Sequence, residues 1–139
     1  KGISEKDCAP WREFEAENLN IRLDGTFLKF GDQIYVAPKE LPALQGLKVL
    51  RPGLHLGTLK KGRFEPSHAL TLALSPADAR RCAKLDLLQA KQWIGGMTVL
   101  WDGEKGWYMA ALEGYGLGWG KLAGGILKNH YPKGLRKIL

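Results

Sequence analysis

The chain has 139 residues, a length that suits one domain or one domain with an appendage. Its apolar content of 45% is enough for a hydrophobic core that does not depend on disulfides. No apolar run approaches the roughly 20 residues of a membrane-spanning helix, and the charged first residues do not look like a signal peptide. We therefore expect a cytoplasmic protein with no membrane partner.

The net charge of +7 is unevenly distributed along the chain. Residues 1–45 carry a net charge of −2, whereas residues 46–139 carry +9. Residues 121–139 hold five basic side chains and no acid. Cationic segments on a folded surface attract nucleic acid or anionic lipid. The alternative is a hydrated surface that only keeps the protein soluble.

The first predicted element is a helix with Pro10 in its first turn, where the missing N–H does no harm. Trp11 and Phe14 begin its apolar face. Two short strands follow, Gly25–Phe30 and Gln33–Ala37, and the Gly-Asp pair between them predicts a β-hairpin.

A proline-bracketed linker follows this hairpin, and the charge balance changes just after it. We therefore expect residues 1–45 to be an N-terminal appendage of helix and hairpin, and residues 46–139 to be the main domain. The main domain opens with predicted strands at Leu47–Arg51 and His55–Lys60.

Two serines then mark helix starts. Ser67 could cap a short helix over residues 68–74. Ser75, followed by proline and then by Asp78 in the first turn, is the stronger signal and predicts a helix to about Leu85.

Asp86 starts the next predicted helix, which ends near Ile94 before two glycines. Strands at Met97–Trp101 and Trp107–Leu112 flank a loop and are predicted to pair as a hairpin. A further turn leads into a strand over residues 117–122. Several short strands with helices grouped in the middle indicate an α+β fold built on a small, strongly curved sheet or barrel.

The stretch Gly53–Phe64 has an internal echo at Gly116–Leu127. The two stretches align without gaps, and five of their twelve positions agree. One interpretation is that two similar strand-turn units need glycine for the same backbone reason. The other is that two hairpins line one cleft.

Motifs for catalysis are not found in this sequence. It has no P-loop, dinucleotide fingerprint, nucleophile elbow or HExxH motif. The three histidines are scattered, so we expect no metal site. Cys8 and Cys82 match no metal or redox spacing and are expected to be free thiols, with a disulfide as the alternative. Cys82 falls on the predicted helix that starts at Ser75.

Two basic segments mix cations with stacking-capable rings. The stretch Gly46–Leu72 alternates apolar and polar residues and carries five basic side chains before its first acid, Glu65. The stretch Lys128–Arg136 combines cations for phosphates with Asn, His and Tyr side chains that can contact bases and 2′-hydroxyls. For Trp119, core packing is favoured over stacking on a base, and for Tyr131 the two are balanced.

These same segments carry a resemblance to a family. LKVLRPGLHLGTLKKGRFEPSHAL and GYGLGWGKLAGGILKNHYPKGLR resemble the C-terminal region of bacterial ribosomal-RNA cytosine-C5 methyltransferases of the Sun family, in its RsmF-like branch. The resemblance implies a PUA-like RNA-binding domain, which is a small β pseudo-barrel with accessory helices. It also implies ribosomal RNA as the partner rather than DNA.

The family's catalytic half does not match this chain. Its S-adenosylmethionine fold and its cysteine in a Thr-Cys or Pro-Cys context do not occur here. The resemblance therefore implies a non-catalytic C-terminal fragment, consistent with a first residue other than Met, or a free-standing relative that lost its catalytic half. No cofactor and no catalytic residue are expected in this chain. S-adenosylmethionine would belong to a catalytic domain of the parent enzyme, in cis.

We accordingly predict an RNA-binding module that positions ribosomal RNA for methylation. The alternative is a protein-docking module that packs on a catalytic domain, and one domain could do both. The predicted RNA-binding residues are Arg51, His55, Lys60, Lys61, Arg63, Lys121, Lys128, Asn129, His130, Tyr131, Lys133 and Arg136.

Overall fold

The computed structural model describes residues 5–37, 53–61 and 63–130. Within these ranges the chain forms three α-helices, one 3-10 turn and nine strands. The helices are α1 (Glu5–Asn18), α2 (His68–Ala73) and α3 (Leu87–Ile94), and the 3-10 turn is Pro76–Asp78. The strands are β1 (Thr26–Phe30), β2 (Gln33–Ala37), β3 (Leu54–Lys60), β4 (Arg63–Pro66), β5 (Cys82–Lys84), β6 (Val99–Leu100), β7 (Gly106–Leu112), β8 (Tyr115–Ala123) and β9 (Ile126–Asn129). The predicted α+β class is confirmed.

The first sheet is an antiparallel meander in the order β1-β2-β3-β4. Its first hairpin is the predicted one, and Gly31 in the turn has a φ of 63°, which favours glycine. Ile34 and Leu56 point into the core, whereas Tyr35 and His55 face each other on the opposite side of the sheet. The predicted strand at residues 47–51 lies outside the described residues.

The second sheet has the order β5-β7-β8-β9-β6. Among its pairs only β5 with β7 is parallel, and the rest are antiparallel. The register places Trp107 of β7 opposite Lys121 of β8, and Lys121 opposite Lys128 of β9. These three side chains therefore lie in one row on one face of the sheet.

Helix α1 packs between the two sheets. It begins at Glu5, so Pro10 lies inside the helix. The sequence analysis placed Pro10 in the first turn, and that prediction is wrong. The rings of Trp11 and Phe14 are buried against Phe64 of β4, each with its centroid 5.3 Å away. Phe14 also meets Trp119 of β8 at 5.5 Å. Trp119 is therefore a core residue, as the favoured interpretation held.

A second cluster fills the other face of the second sheet. Trp93 of α3 is fully buried there against Tyr108, Leu122 and Leu127. The predicted cap of α3 is confirmed, because Asp86 accepts a hydrogen bond from the Gln89 N–H at 2.8 Å. The central strands β7 and β8 consequently bury both of their faces.

The predicted helix from Ser75 to Leu85 is wrong. Asp78 does accept a hydrogen bond from the Ser75 N–H at 2.9 Å, but only the single turn Pro76–Asp78 forms. The backbone after it pairs elsewhere, since the Arg80 N–H donates to the Asn18 carbonyl at 2.8 Å. Residues 82–84 then join the second sheet as β5, so Cys82 lies on a strand and not on a helix. Tertiary pairing outweighs the local helix signal here.

The predicted hairpin between residues 97–101 and 107–112 is also wrong. The second of these strands forms as β7, but the first is the two-residue β6, which pairs with β9 through Val99 and Leu127. The intervening loop crosses to the other side of the sheet and is held by a hydrogen bond from the Tyr108 hydroxyl to the Glu104 carbonyl at 2.8 Å. Strands β6 and β7 are therefore neighbours in sequence but not in the sheet.

The described contacts join the two segments that the sequence analysis separates near residue 45. Strand β2 pairs with β3, and α1 shares a core with β4 and β8. The linker itself, within residues 38–52, lies outside the described residues. The division into residues 1–45 and 46–139 stays a prediction.

Candidate functional site

A cleft of about 480 Å³ opens between the β3–β4 hairpin and strands β7 to β9. Five cations line it, and the accompanying acid is Glu65. The cations are Lys60, Arg63, Lys105, Lys121 and Lys128. We call this feature the basic cleft. The β3–β4 and β8–β9 hairpins, which contain the two copies of the internal echo, both line this cleft. This arrangement agrees with the second interpretation of the echo, in which two hairpins line one cleft.

Strand register explains why the cations gather. Lys60 and Arg63 pair across the end of the β3–β4 hairpin. Lys121 and Lys128 pair across β8 and β9 on the opposite wall. Lys105 enters from the loop before β7. Each wall therefore contributes a cation pair, and like charges placed so close favour a bound polyanion.

Glu65 is tied to both walls of the basic cleft. One carboxylate oxygen accepts from Lys60 Nζ at 2.7 Å, and the other accepts from His130 Nδ1 at 2.9 Å. Partial burial favours the neutral acid, but the hydrogen bonds and charges of Lys60 and His130 outweigh it. The pKa of Glu65 therefore lies below its usual value, and the group is ionised at neutral pH. The carboxylate offsets one of the five cations.

Trp107 supplies an aromatic surface among these charges. Its half-buried ring stands 4.8 Å from the ring of His130 and 6.2 Å from that of Phe14. The ammonium of Lys121 lies 5.3 Å from the centre of the indole. A fixed indole beside mobile cations is the combination that binds nucleotides, because the ring stacks on bases and the cations neutralise phosphates.

Five of the predicted RNA-binding residues line the basic cleft: Lys60, Arg63, Lys121, Lys128 and His130. Lys61 is exposed at the adjoining turn. Arg51, Tyr131, Lys133 and Arg136 lie outside the described residues.

Two predicted residues lie elsewhere. His55 is on the outer face of the first sheet, with its ring 4.9 Å from that of Tyr35, and burial lowers its pKa below the usual value. The Asn129 amide donates to the backbone carbonyls of Trp93 and Met97, at 2.7 and 3.0 Å. Asn129 thereby ties β9 to the end of α3.

Lys105 and Trp107 were missed by the sequence analysis. Lys105 belongs to a segment read only as a loop. Trp107 gains its place from the register that sets it opposite Lys121. The sequence signal that could have identified Trp107 is the alternation along β7, which puts Trp107 on the same face as Met109.

Within residues 5–37, 53–61 and 63–130, neither the thiols nor the metal-ligating side chains indicate a second site. Both cysteines are free, and burial raises the pKa of each thiol above its usual value. In the described ranges no group of three His, Cys, Asp or Glu side chains could hold a metal ion. None of the helices described there is long and apolar enough to cross a membrane.

Fold and cleft together define a small α+β protein with a curled sheet and a cationic groove, the form of a PUA-like domain. Two family models match the chain in succession. Residues 13–74 match the first C-terminal domain of the RsmF rRNA methyltransferase, and residues 80–137 match the PUA domain of methyltransferase RsmF. The chain belongs to the C-terminal region of the RsmF family. The boundary between the matches falls between residues 74 and 80.

Relatives agree with this placement. Ribosomal RNA small subunit methyltransferase F of Aliivibrio fischeri (strain ATCC 700601 / ES114) is 31% identical over 119 residues, which cover 84% of this chain and 25% of the relative. The protein of the same name from Aeromonas salmonicida is 30% identical over 135 residues, covering 94% of this chain and 28% of the relative. The chain thus spans about a quarter of the length of these relatives.

Proposed function

We propose that this chain is the RNA-binding C-terminal module of a small-subunit ribosomal RNA methyltransferase, and that the basic cleft holds the RNA. The observation that carries the proposal is the gathering of five cations around one indole and one carboxylate. The family match supports ribosomal RNA as the partner.

Lys60 is paired with Glu65, which leaves Arg63, Lys105, Lys121 and Lys128 to neutralise phosphates. Each neutralised phosphate adds roughly 0.7–0.9 to the slope of log affinity against log salt. Four contacts predict a slope of about 3 to 4. The exposed Lys61 and the predicted Arg51, Lys133 and Arg136 would steepen it.

The test compares two double variants with the same change in net charge. Lys121→Glu with Lys128→Glu reverses one wall of the basic cleft. Lys84→Glu with Lys91→Glu reverses two exposed lysines on β5 and α3, which do not line it. Anisotropy of a labelled small-subunit rRNA fragment is measured between about 50 and 200 mM salt.

We expect the cleft variant to lose about tenfold or more in affinity and about 1.5 to 2 in slope. The control variant should lose far less, because its lysines act only through long-range attraction. A wild-type chain that binds no RNA at low salt would contradict the proposal. So would a control variant that loses as much affinity as the cleft variant.

The methyl-transfer step is proposed to lie outside this chain. S-adenosylmethionine is the donor that the resemblance implies, and a doubly wound parallel sheet is the fold expected to bind it. In the described part of the chain, parallel pairing is limited to the three-residue β5 beside β7. These residues do not fit the cofactor, and we place it in a catalytic domain in cis, in a cytoplasmic enzyme.

Protein docking is the second candidate function. Leu87 and Leu88 in the first turn of α3 are 61% and 66% exposed, and Leu100 at the sheet edge is 78% exposed. Adjacent exposed leucines on the first turn of a helix could form part of an apolar patch, and large contiguous apolar patches mark surfaces that meet other proteins or domains. Co-purification of the chain with a separately expressed catalytic half, lost in Leu88→Lys, would support docking.

A further inference from the structure

The indole of Trp107 is held in place and turned toward the basic cleft. Phe14 packs against it from α1, and the His130 ring meets it from the end of β9. The ammonium of Lys121 lies over the ring. A flexible lysine is easily replaced by a flat ligand, because it has only to swing away.

Either the Lys121 ammonium or a nucleotide base can occupy the face of the indole, and the strengths of the two interactions indicate which one prevails. A cation over an exposed ring is worth about 2- to 5-fold in an equilibrium constant, whereas a base stacked on an aromatic side chain is worth roughly 5- to 150-fold. A base should therefore displace Lys121. The freed ammonium would then lie beside the phosphate of the same nucleotide.

The presence of the Glu65 carboxylate in a cleft proposed to bind RNA needs an explanation. A carboxylate repels phosphates, yet Glu65 sits among cations that would bind them. Each of its oxygens accepts one described hydrogen bond, and an ionised carboxylate has about four acceptor positions. His130 bonds to Glu65 and contacts Trp107, so the carboxylate and the indole are one imidazole ring apart.

We propose that the basic cleft captures one unpaired RNA nucleotide, with its base stacked on Trp107 and its exocyclic amino group donating to Glu65. Adenine, cytosine and guanine carry such a group, and uracil does not. The flanking phosphates lie against Arg63 on one wall and against Lys121 and Lys128 on the other. The cleft volume falls within the range of small-ligand sites, about 300–1,000 Å³. This inference rests on the proposed RNA-binding function.

The experiment measures anisotropy with labelled oligo(A), oligo(C) and oligo(U) of equal length and with a perfect RNA duplex. The variants are Trp107→Leu, which removes the stacking surface, Trp107→Phe, which keeps a smaller one, and Glu65→Gln, which keeps the shape. Thermal unfolding of each variant confirms that it folds. Trp107→Phe serves as the folded comparison if the leucine variant does not fold.

Trp107→Leu should weaken binding of oligo(A) and oligo(C) by roughly 5- to 150-fold and of the duplex by less than about 2-fold. Trp107→Phe should fall between wild type and the leucine variant. Glu65→Gln should reduce the preference for oligo(A) and oligo(C) over oligo(U), because an amide both donates and accepts. A purely structural role for Glu65 would weaken all three oligomers equally.

The outcomes separate this inference from the function it rests on. Equal loss of duplex and single-strand binding in the Trp107 variants, or no preference against oligo(U) in the wild type, would overturn nucleotide capture while RNA binding stands. A wild type that binds none of the four RNAs at low salt would overturn both.

Discussion

Two adjacent residues of β9, Lys128 and Asn129, point to opposite sides of the second sheet. Lys128 lines the basic cleft, whereas the Asn129 amide donates to two carbonyls at the end of α3. Alanine variants of the two should therefore fail in different assays. Lys128→Ala should weaken RNA binding and leave stability within about 0.5 kcal/mol, as surface substitutions usually do.

Asn129→Ala should behave in the opposite way. It removes two hydrogen bonds, each worth about 0.5–1.5 kcal/mol net. The bond to Met97 is exposed, so in the variant the Met97 carbonyl can bond to water instead. The total loss in the free energy of unfolding is therefore near the low end of the range, about 1–2 kcal/mol. For a domain of this size that loss lowers Tm by roughly 3–8 °C.

The assay is thermal unfolding by circular dichroism, paired with RNA anisotropy on the same samples. For Asn129→Ala we expect a lower Tm with RNA affinity within about twofold of wild type when measured well below Tm. The reasoning is refuted if Asn129→Ala lowers RNA affinity as much as Lys128→Ala does while Tm stays unchanged. Asn129 would then be a direct RNA contact, as the sequence predicted.

Two further perturbations probe the packing and the ion pairs. Gly120→Ala places a Cβ 2.5 Å from Trp93 Cη2 and 3.0 Å from the Lys128 carbonyl. Urea unfolding should therefore show a loss of about 1–3 kcal/mol in the free energy of unfolding. An unchanged urea midpoint would contradict the tight packing. Glu65 has a lowered pKa in the fold, so its stabilising effect is present above its unfolded pKa of about 4.3 and is lost as the pH falls through the folded value. The difference in unfolding free energy between wild type and Glu65→Gln should therefore shrink on acidification, and urea titrations at several pH values would show a constant difference if Glu65 were unpaired.

Local signals predicted the elements whose backbone is satisfied locally. The hairpin turn at Gly31 and the caps Ser67 and Asp86 are each confirmed by their own bonds, for example from the Leu70 N–H to Ser67 Oγ at 3.1 Å. The Ser75 signal was stronger than that of Ser67, yet only the single turn Pro76–Asp78 follows it. The backbone after Asp78 is hydrogen-bonded to the end of α1 and to β7. These partners are distant in the sequence, so the local residues do not indicate them.

The candidate site was partly predictable for the same reason. Alternation and charge pointed to Lys60, Arg63, Lys121 and Lys128, because cations on exposed strand positions are visible in sequence. The part played by Trp107 was not visible, since it depends on which residue lies opposite it in β8. One glycine pair shared by the two copies of the echo has a spatial cause, because a Cβ at Gly57 or Gly120 would collide with neighbouring atoms.

The end of α1 is bonded to the segment where the two family matches meet. The Asn20 N–H donates to the Asp78 carbonyl and the Arg80 N–H to the Asn18 carbonyl, both at 2.8 Å. Phe14 from the first match also touches Trp119 from the second. Exchange of one family domain between relatives would therefore replace one side of these contacts and leave the other. We expect a chimera joined between residues 74 and 80 to be stable only when the aromatic partners on its two sides match.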